Sequence, residues 1–330
     1  MRITVFVALL AIAFVLNISC GAVALPWYSI LFSKVSLDDA SKTILEWRLL
    51  HAFASLFVGA GLALVGSVLQ RLLRNPLADP FVLGVTSGGT LFAVASIIWG
   101  FPFFMWGVPV RILAALAGSG ITIVLVFAAR RMLFKSDDAF GVPLAGMLLN
   151  AFFGALLTFG LTISDPSRLG ESFRWLVGDI QMLSLGEVVV VGSLVIVVGA
   201  VLLRMAPLIA TLAFGDEFAN SLGFSAKRLR RAGILLVAVL TAVVVSVAGS
   251  IGFVGLVIPH AARWLVRSHI AAEWLVSAIL GAALVLVADT LARVVVLPSE
   301  LPVGIFTALI GVPLLVAMAI RWGGVRGRAL

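Results

Sequence analysis

Residues 70–89 read QRLLRNPLADPFVLGVTSGG. Long apolar runs lead into this stretch and away from it, yet it carries two arginines, an aspartate, two prolines and three glycines. Asn75-Pro76 and Asp79-Pro80 each set a short polar acceptor before a proline. Such a side chain accepts from the free N–H groups at a helix start, and proline at the next position gives up no needed donor. The stretch therefore predicts an apolar helix ending near Leu73, a tight double turn, and a new helix from about Pro80. Gly84 and Gly88 then lie four apart on one face, with Ser87 and Gly89 beside them. In lipid, a face of small residues lets a second helix approach closely. An ordinary interhelical loop would carry the same features.

The composition places this turn in a membrane protein. Of 330 residues, 62% are hydrophobic and 12% charged, far from the roughly 45–50% apolar usage of soluble domains. A spanning helix needs about 20 mostly apolar residues, and the chain supplies that many times over. The expectation is an all-α polytopic membrane protein, a single transmembrane domain over 1–330. Ten spans are predicted, near 3–25, 49–70, 82–106, 110–129, 140–163, 185–204, 231–249, 251–266, 272–296 and 302–321.

The net charge of +8 does not indicate nucleic acid, because the basic residues are scattered between apolar runs. Their distribution instead orients the chain. With the N-terminus inside, sixteen of the 23 lysines and arginines fall on the inner side, and seven fall outside: Lys34, Lys42, Arg48, Arg111, Arg168, Arg174 and Arg293. That excess predicts both termini in the cytoplasm. Cys20, the single cysteine, excludes an internal disulfide, and His51, His260 and His269 form no recognisable ligand set. Arg2 and the apolar run after it resemble a signal peptide, and Cys20 invites a lipoprotein reading. The run continues to Leu25, however, so a retained first span is expected.

Two segments outside the spans stand out. Residues 164–184 predict a short amphipathic helix at the outer interface, with Trp175 as a possible boundary anchor. Residues 205–231 predict two short inner helices joined at Gly223. Asp216 is read as a cap, Glu217 as a first-turn acid and Ser225 as the second cap. Lys227, Arg228, Arg230 and Arg231 crowd the second helix start, as a surface for an acidic partner would require.

No catalytic constellation is present. None of the four lysines follows a glycine, so the phosphate-binding loop signature is absent. Asp38-Asp39 and Asp137-Asp138 read as solvated loop acids. Asn150 falls within the fifth span, where it either bonds a neighbouring helix or lines a pathway. Asp289 and Arg293 lie four apart in the ninth span and can pair. In 249–263, GSIGFVGLVIPHAAR, glycines at 249, 252 and 255 permit close contact or a broken helix, and Pro259 removes a donor.

Five stretches in order carry a resemblance: RNPLADPFVLGVTSGG (74–89), GDEFANSLG (215–223), GFVGLVIPHAAR (252–263), LVADTLAR (286–293) and ELPVGIFTALIGVPLL (300–315). The chain resembles the permease subunit of type II ABC importers, the FecCD-type family for iron-siderophores, haem and cobalamin. The resemblance implies ten spans, a homodimer in the bacterial inner membrane, two ATPase subunits that use ATP, and a periplasmic binding protein. It implies no catalysis, no cofactor and no metal site in this chain. Coupling to the ATPase falls on Asp216, Glu217, Ala219, Leu222 and Gly223. Docking of the binding protein falls on Arg48 and Arg293. Gly84, Gly88, Asn150, Gly252, Gly255, Pro259, Gly304 and Gly311 serve the pathway or helix packing, with the fifth and tenth spans and the stretch Val303–Leu314 lining it. The sequence departs from the family at 48–51, where RLLH stands in place of a common R-L-P-R pattern and His51 replaces an arginine. Iron-siderophore is the leading cargo, with haem or cobalamin as alternatives. An ion-coupled secondary transporter is the rival of another class; it would need in-membrane acids, and only Asp289 fits.

Overall fold

The computed structural model describes residues 3–23, 25–26, 38–102, 104–105, 108–133, 141–180, 183–266 and 269–326. Arg2, Lys34, Lys135, Asp137, Asp138, Arg267 and Arg328 lie outside the described residues. The helices are α1 (Ile3–Ser19), α2 (Asp39–Leu72), α3 (Val85–Ile98), α4 (Val110–Leu133), α5 (Gly141–Thr162), α6 (Pro166–Val177), α7 (Leu185–Thr211), α8 (Asp216–Ser221), α9 (Ala226–Ala248), α10 (Val254–Leu265), α11 (Ile270–Val294) and α12 (Val303–Arg326). Short 3-10 turns occupy Pro80–Leu83 and Leu212–Phe214, and Phe104–Met105 pairs with Val108–Pro109 in a minimal antiparallel hairpin. Six described helices are long and apolar enough to cross a membrane: α2, α4, α5, α7 with its 3-10 extension, α9 and α11. Ile3–Ser19, Val85–Ile98 and Val303–Met318 are shorter apolar helices.

Local chemistry starts these helices. Asp38 caps α2 by accepting from the Ser41 N–H, and Asp39 pairs with Lys42 at 3.0 Å in its first turn. Both acids are exposed, as expected of solvated groups, but they start a helix, and α2 begins ten residues before its expected start. Asp165 caps α6 ahead of Pro166. Ser184 and Glu187 form a reciprocal capping box at α7. Ser225 caps α9, as its sequence position predicts.

The long helix α2 is the centre of the bundle. Its middle is buried on all sides, with Val58, Val65, Val68 and Leu69 fully enclosed. Two glycines seven residues apart set the distance to its neighbours. Gly59 meets the Gly281 backbone of α11, and Gly66 meets the Gly255 backbone of α10, with no room for a Cβ at either contact. Such backbone approach maximises dispersion contacts where no hydrophobic effect drives helices together.

The turn after α2 differs from its expected form in one respect. Asp79 accepts from the Phe81 N–H at 3.0 Å and starts the Pro80–Leu83 turn. Asn75 accepts from the Leu77 N–H at 2.9 Å but starts no helix. The third span is also not continuous over 82–106. Gly84 adopts φ +74°, separating the 3-10 turn from α3, and α3 ends at Ile98. The first helix ends at Ser19, before Cys20.

Candidate coupling and docking sites

At the bundle end expected inside, three elements converge on one carboxylate. Arg74 follows the last turn of α2 with φ +49°, a left-handed conformation costing a side chain about 1 kcal/mol. Its guanidinium donates to the Leu212 carbonyl at 2.7 Å and to Asp216 Oδ1 at 2.9 Å. From the other side Arg230 of α9 grips both Asp216 oxygens, at 3.0 and 2.7 Å. These bonds, those from Arg230 first, hold the Asp216 carboxyl below the ordinary carboxylate range.

Asp216 is therefore not the cap of α8. Gly215 occupies that position, without a side-chain bond. Within the expected coupling set Ala219 is fully buried and Asp216 is half-exposed, while Glu217, Leu222 and Gly223 are exposed. Gly223 (φ +85°) ends the helix, with the Phe224 N–H reaching back to the Ala219 carbonyl at 3.2 Å. Around this helix Phe214, Phe218, Leu222 and Phe224 are exposed, and the rings of Phe214 and Phe218 lie 5.4 Å apart. Arg230 is buried and leaves the basic surface to Lys227, Arg228 and Arg231.

The 74–79 turn is also held from α10. His260 Nε2 donates to the Pro76 carbonyl at 2.8 Å, which leaves Nδ1 to accept from Arg263 at 2.8 Å. Arg263 also donates to Gln70 Oε1 at 2.6 Å, and Gln70 reaches the Gly255 carbonyl at 3.3 Å. Glu273 pairs with Arg71 at 2.8 Å. His260 is a structural clasp, and Pro259 beside it is buried inside α10.

At the other end, the two arginines expected to face a docking partner are buried. Arg48 is 2% exposed and donates to the carbonyls of Ile18, Ser19 and Val23. Arg293 is 3% exposed; it pairs with Asp289 at 2.8 Å and donates to the Asn17 carbonyl at 3.0 Å. Neither offers an open guanidinium. His51 also points inward: Nε2 donates to the Ile180 carbonyl at 3.1 Å and Nδ1 lies 3.2 Å from Asp289. The expected Asp289–Arg293 pair forms, but within a larger network that includes Asn17 Nδ2, 2.8 Å from Asp289.

The segment after α6 ties this end together. Trp175 is 1% exposed, a core residue rather than a boundary anchor, and its carbonyl accepts from the Ser250 N–H at 3.5 Å. Arg174 and Asp179 pair at 2.8 Å, while burial pushes the Asp179 carboxyl up. The Gly178 carbonyl accepts from the Gly304 N–H at 2.9 Å, and Gly304 lies against the Val177 carbonyl.

The stretch 249–253 is a break between α9 and α10. Phe253 has φ +68° and packs on Gly311 of α12. Gly252 sits in ordinary contact with Phe81. Gly88 lies against Gly118 and Thr122, and Gly84 against Gly146. Asn150 spends its amide on the start of α3, accepting from Ser87 at 2.6 Å and donating to the Phe81 carbonyl at 2.7 Å. Its neighbours Met147, Leu148 and Phe152 are exposed, as are Leu309, Val312 and Val316 of α12. A groove of about 340 Å³ opens between α3 and α5, lined by apolar side chains such as Leu91, Trp99, Leu156 and Phe159. Among the described residues, no three His, Cys, Asp or Glu side chains converge to hold a metal ion.

The family model of the FecCD transport family matches residues 9–321. The chain belongs to the FecCD transport family. It is 33% identical to the Fe(3+) dicitrate transport system permease protein FecD of Escherichia coli, over 97% of this chain and 98% of that one. It is 34% identical to the hemin transport system permease protein HmuU of Yersinia pestis, over 87% of this chain and 86% of that one. A solved structure described as an inward-facing metal-chelate type ABC transporter matches with TM-score 0.80 and 31% identity, over 96% of this chain and 97% of that one. The match spans all five stretches read from the sequence. It does not supply the contacts of Asn17, Arg74 and Arg230. Of these, Asn17 left a trace in the sequence: a polar side chain inside an apolar span, where it needs a partner.

Proposed function

We infer that this chain is the membrane permease of an ABC importer for a metal chelate, iron-siderophore first, with haem or cobalamin as the alternative cargo. It works as a homodimer in the bacterial inner membrane, with ten spans and both termini inside. Two ATPase subunits use ATP on the inner face, and a periplasmic binding protein delivers cargo. The observation that carries this reading is the helix α8. Its Phe218 and Phe214 of the 3-10 turn before it lie exposed beside a basic helix start, in a FecCD-family chain without a phosphate-binding loop. An apolar surface of this kind, rimmed by charge, is a protein contact. The apolar exposed faces of α5 and α12 suit a pathway that passes a bulky chelate without coordinating it.

Proteoliposomes holding the permease with its ATPase and binding protein test the reading against ferric chelates, haem and cobalamin. Uptake should require ATP and persist when ion gradients are collapsed. Uptake abolished by an uncoupler at maintained ATP would establish the secondary-transporter alternative.

A further inference from the structure

We propose that Asp216 is a positioning residue that locks helix α8 to the 74–79 turn, so that helix and turn move as one body. Three observations carry this. First, α8 has six residues and no side-chain cap at its start; its local bonds, from the Phe224 N–H to Ala219 and from the Ala226 N–H to Asn220, lie at its C-terminal end and leave the start to Asp216. Its one buried small contact, Ala219, sets depth but not direction. Second, two arginines from separate elements meet on the single Asp216 carboxylate. Arg230 grips it through two parallel bonds and Arg74 through one. The paired bonds fix an angle as well as a distance. Third, Arg74 holds a left-handed backbone that glycine would hold without strain, and its guanidinium is committed to Leu212 and Asp216. Strain kept at such a position points to a side chain whose reach is needed.

The turn continues the connection. His260 of α10 holds the Pro76 carbonyl, and Arg263 joins that clasp to Gln70 at the end of α2. A displacement of α8 thus passes through Asp216 and Arg74 to the turn, and from Pro76 to α10. The consequence for transport rests on the importer reading above: an ATPase pressing on Phe218 and Leu222 would move the turn. The mechanical lock itself does not depend on that reading.

The test uses the full chain in nanodiscs with Cys20→Ser, and spin labels on cysteines placed at Ser221 and Leu77, both exposed. The expected result is one narrow distance peak, lost in Asp216→Asn and in Arg74→Gly, restored in Asp216→Glu, and kept in Arg228→Gln. Arg74→Gly relieves the backbone, so it removes the link without threatening the fold. Thermal melting of each variant separates loss of the lock from loss of the protein. A peak unchanged in both Asp216→Asn and Arg74→Gly would overturn the proposal. Failure of ATPase subunits to copurify would overturn the importer reading and leave the distance result standing.

Discussion

Asn17 of α1 and Asp289 of α11 meet at 2.8 Å across 272 residues of sequence, and both are buried. The same carboxylate oxygen receives Arg293 at 2.8 Å. An ion pair in a helix bundle needs its remaining lone pairs filled, and Asn17 fills one. Through this bond α1 is fastened to the centre of the molecule.

Removing the carboxylate should therefore cost far more than removing the amide. Asp289→Ala strands the buried Arg293 and should destabilise by about 3–5 kcal/mol. Asn17→Leu should cost about 1–3 kcal/mol. Equilibrium unfolding of the purified protein in mixed micelles checks the order. Equal losses would show that Arg293 finds another anion.

Arg48→Glu should act on stability before it acts on any partner. The guanidinium sits among the three carbonyls of Ile18, Ser19 and Val23. A carboxylate placed there faces the three carbonyl acceptors in place of a donor, and burying a charge without hydrogen-bond partners is expensive. A lowered melting temperature with a freed α1, seen as faster proteolysis near Cys20, is the expected outcome. Unchanged melting with slower binding-protein association would restore the docking role.

Gly66→Leu should separate α2 from α10. The Gly255 backbone already fills the position of a Cβ on Gly66, so the helices must part. Overpacking costs about 1–3 kcal/mol where a core can adjust, and backbone against backbone adjusts least. A Cβ added at Gly120 meets nothing within 4 Å, so Gly120→Leu serves as the control. Loss of folded protein on size exclusion in the first variant alone is expected.

Asp79 should make the 74–84 turn pH-sensitive. Burial pushes its carboxyl from 3.8 up to about 6, against the Phe81 N–H that favours the charged form. A raised value means the folded state holds the proton more tightly. Its contribution is complete below pH 3.8 and is lost as pH rises through about 6. The upper limit of that change is roughly 3 kcal/mol. Hydrogen exchange of the Phe81 and Val82 amides should quicken across this window, and Asp79→Asn, which keeps an acceptor, should flatten the dependence.

The sequence by itself determined the class of fold, most helix starts and the family. Apolar runs, cap residues and prolines act within a few positions of themselves, so the cap at Ser225, the C-terminal end of α2 and the presence of a helix at α6 were legible, while 249–255 read equally as a close contact or a broken helix. Asp216, Glu217 and Gly223 were recognisable as a helix-and-turn unit for the same reason. What the sequence could not decide was which way each charge faces. Arg48, Arg293 and Arg230 read as outward cations because basic residues near a span end usually are, yet each is buried against a partner 14 or more residues away, or in the case of Arg293 also on the adjacent turn of its own helix. The direction of a side chain on a helix is set by the rotation of that helix in the bundle. That rotation is fixed by contacts such as Gly66 on Gly255, which only the packed structure contains.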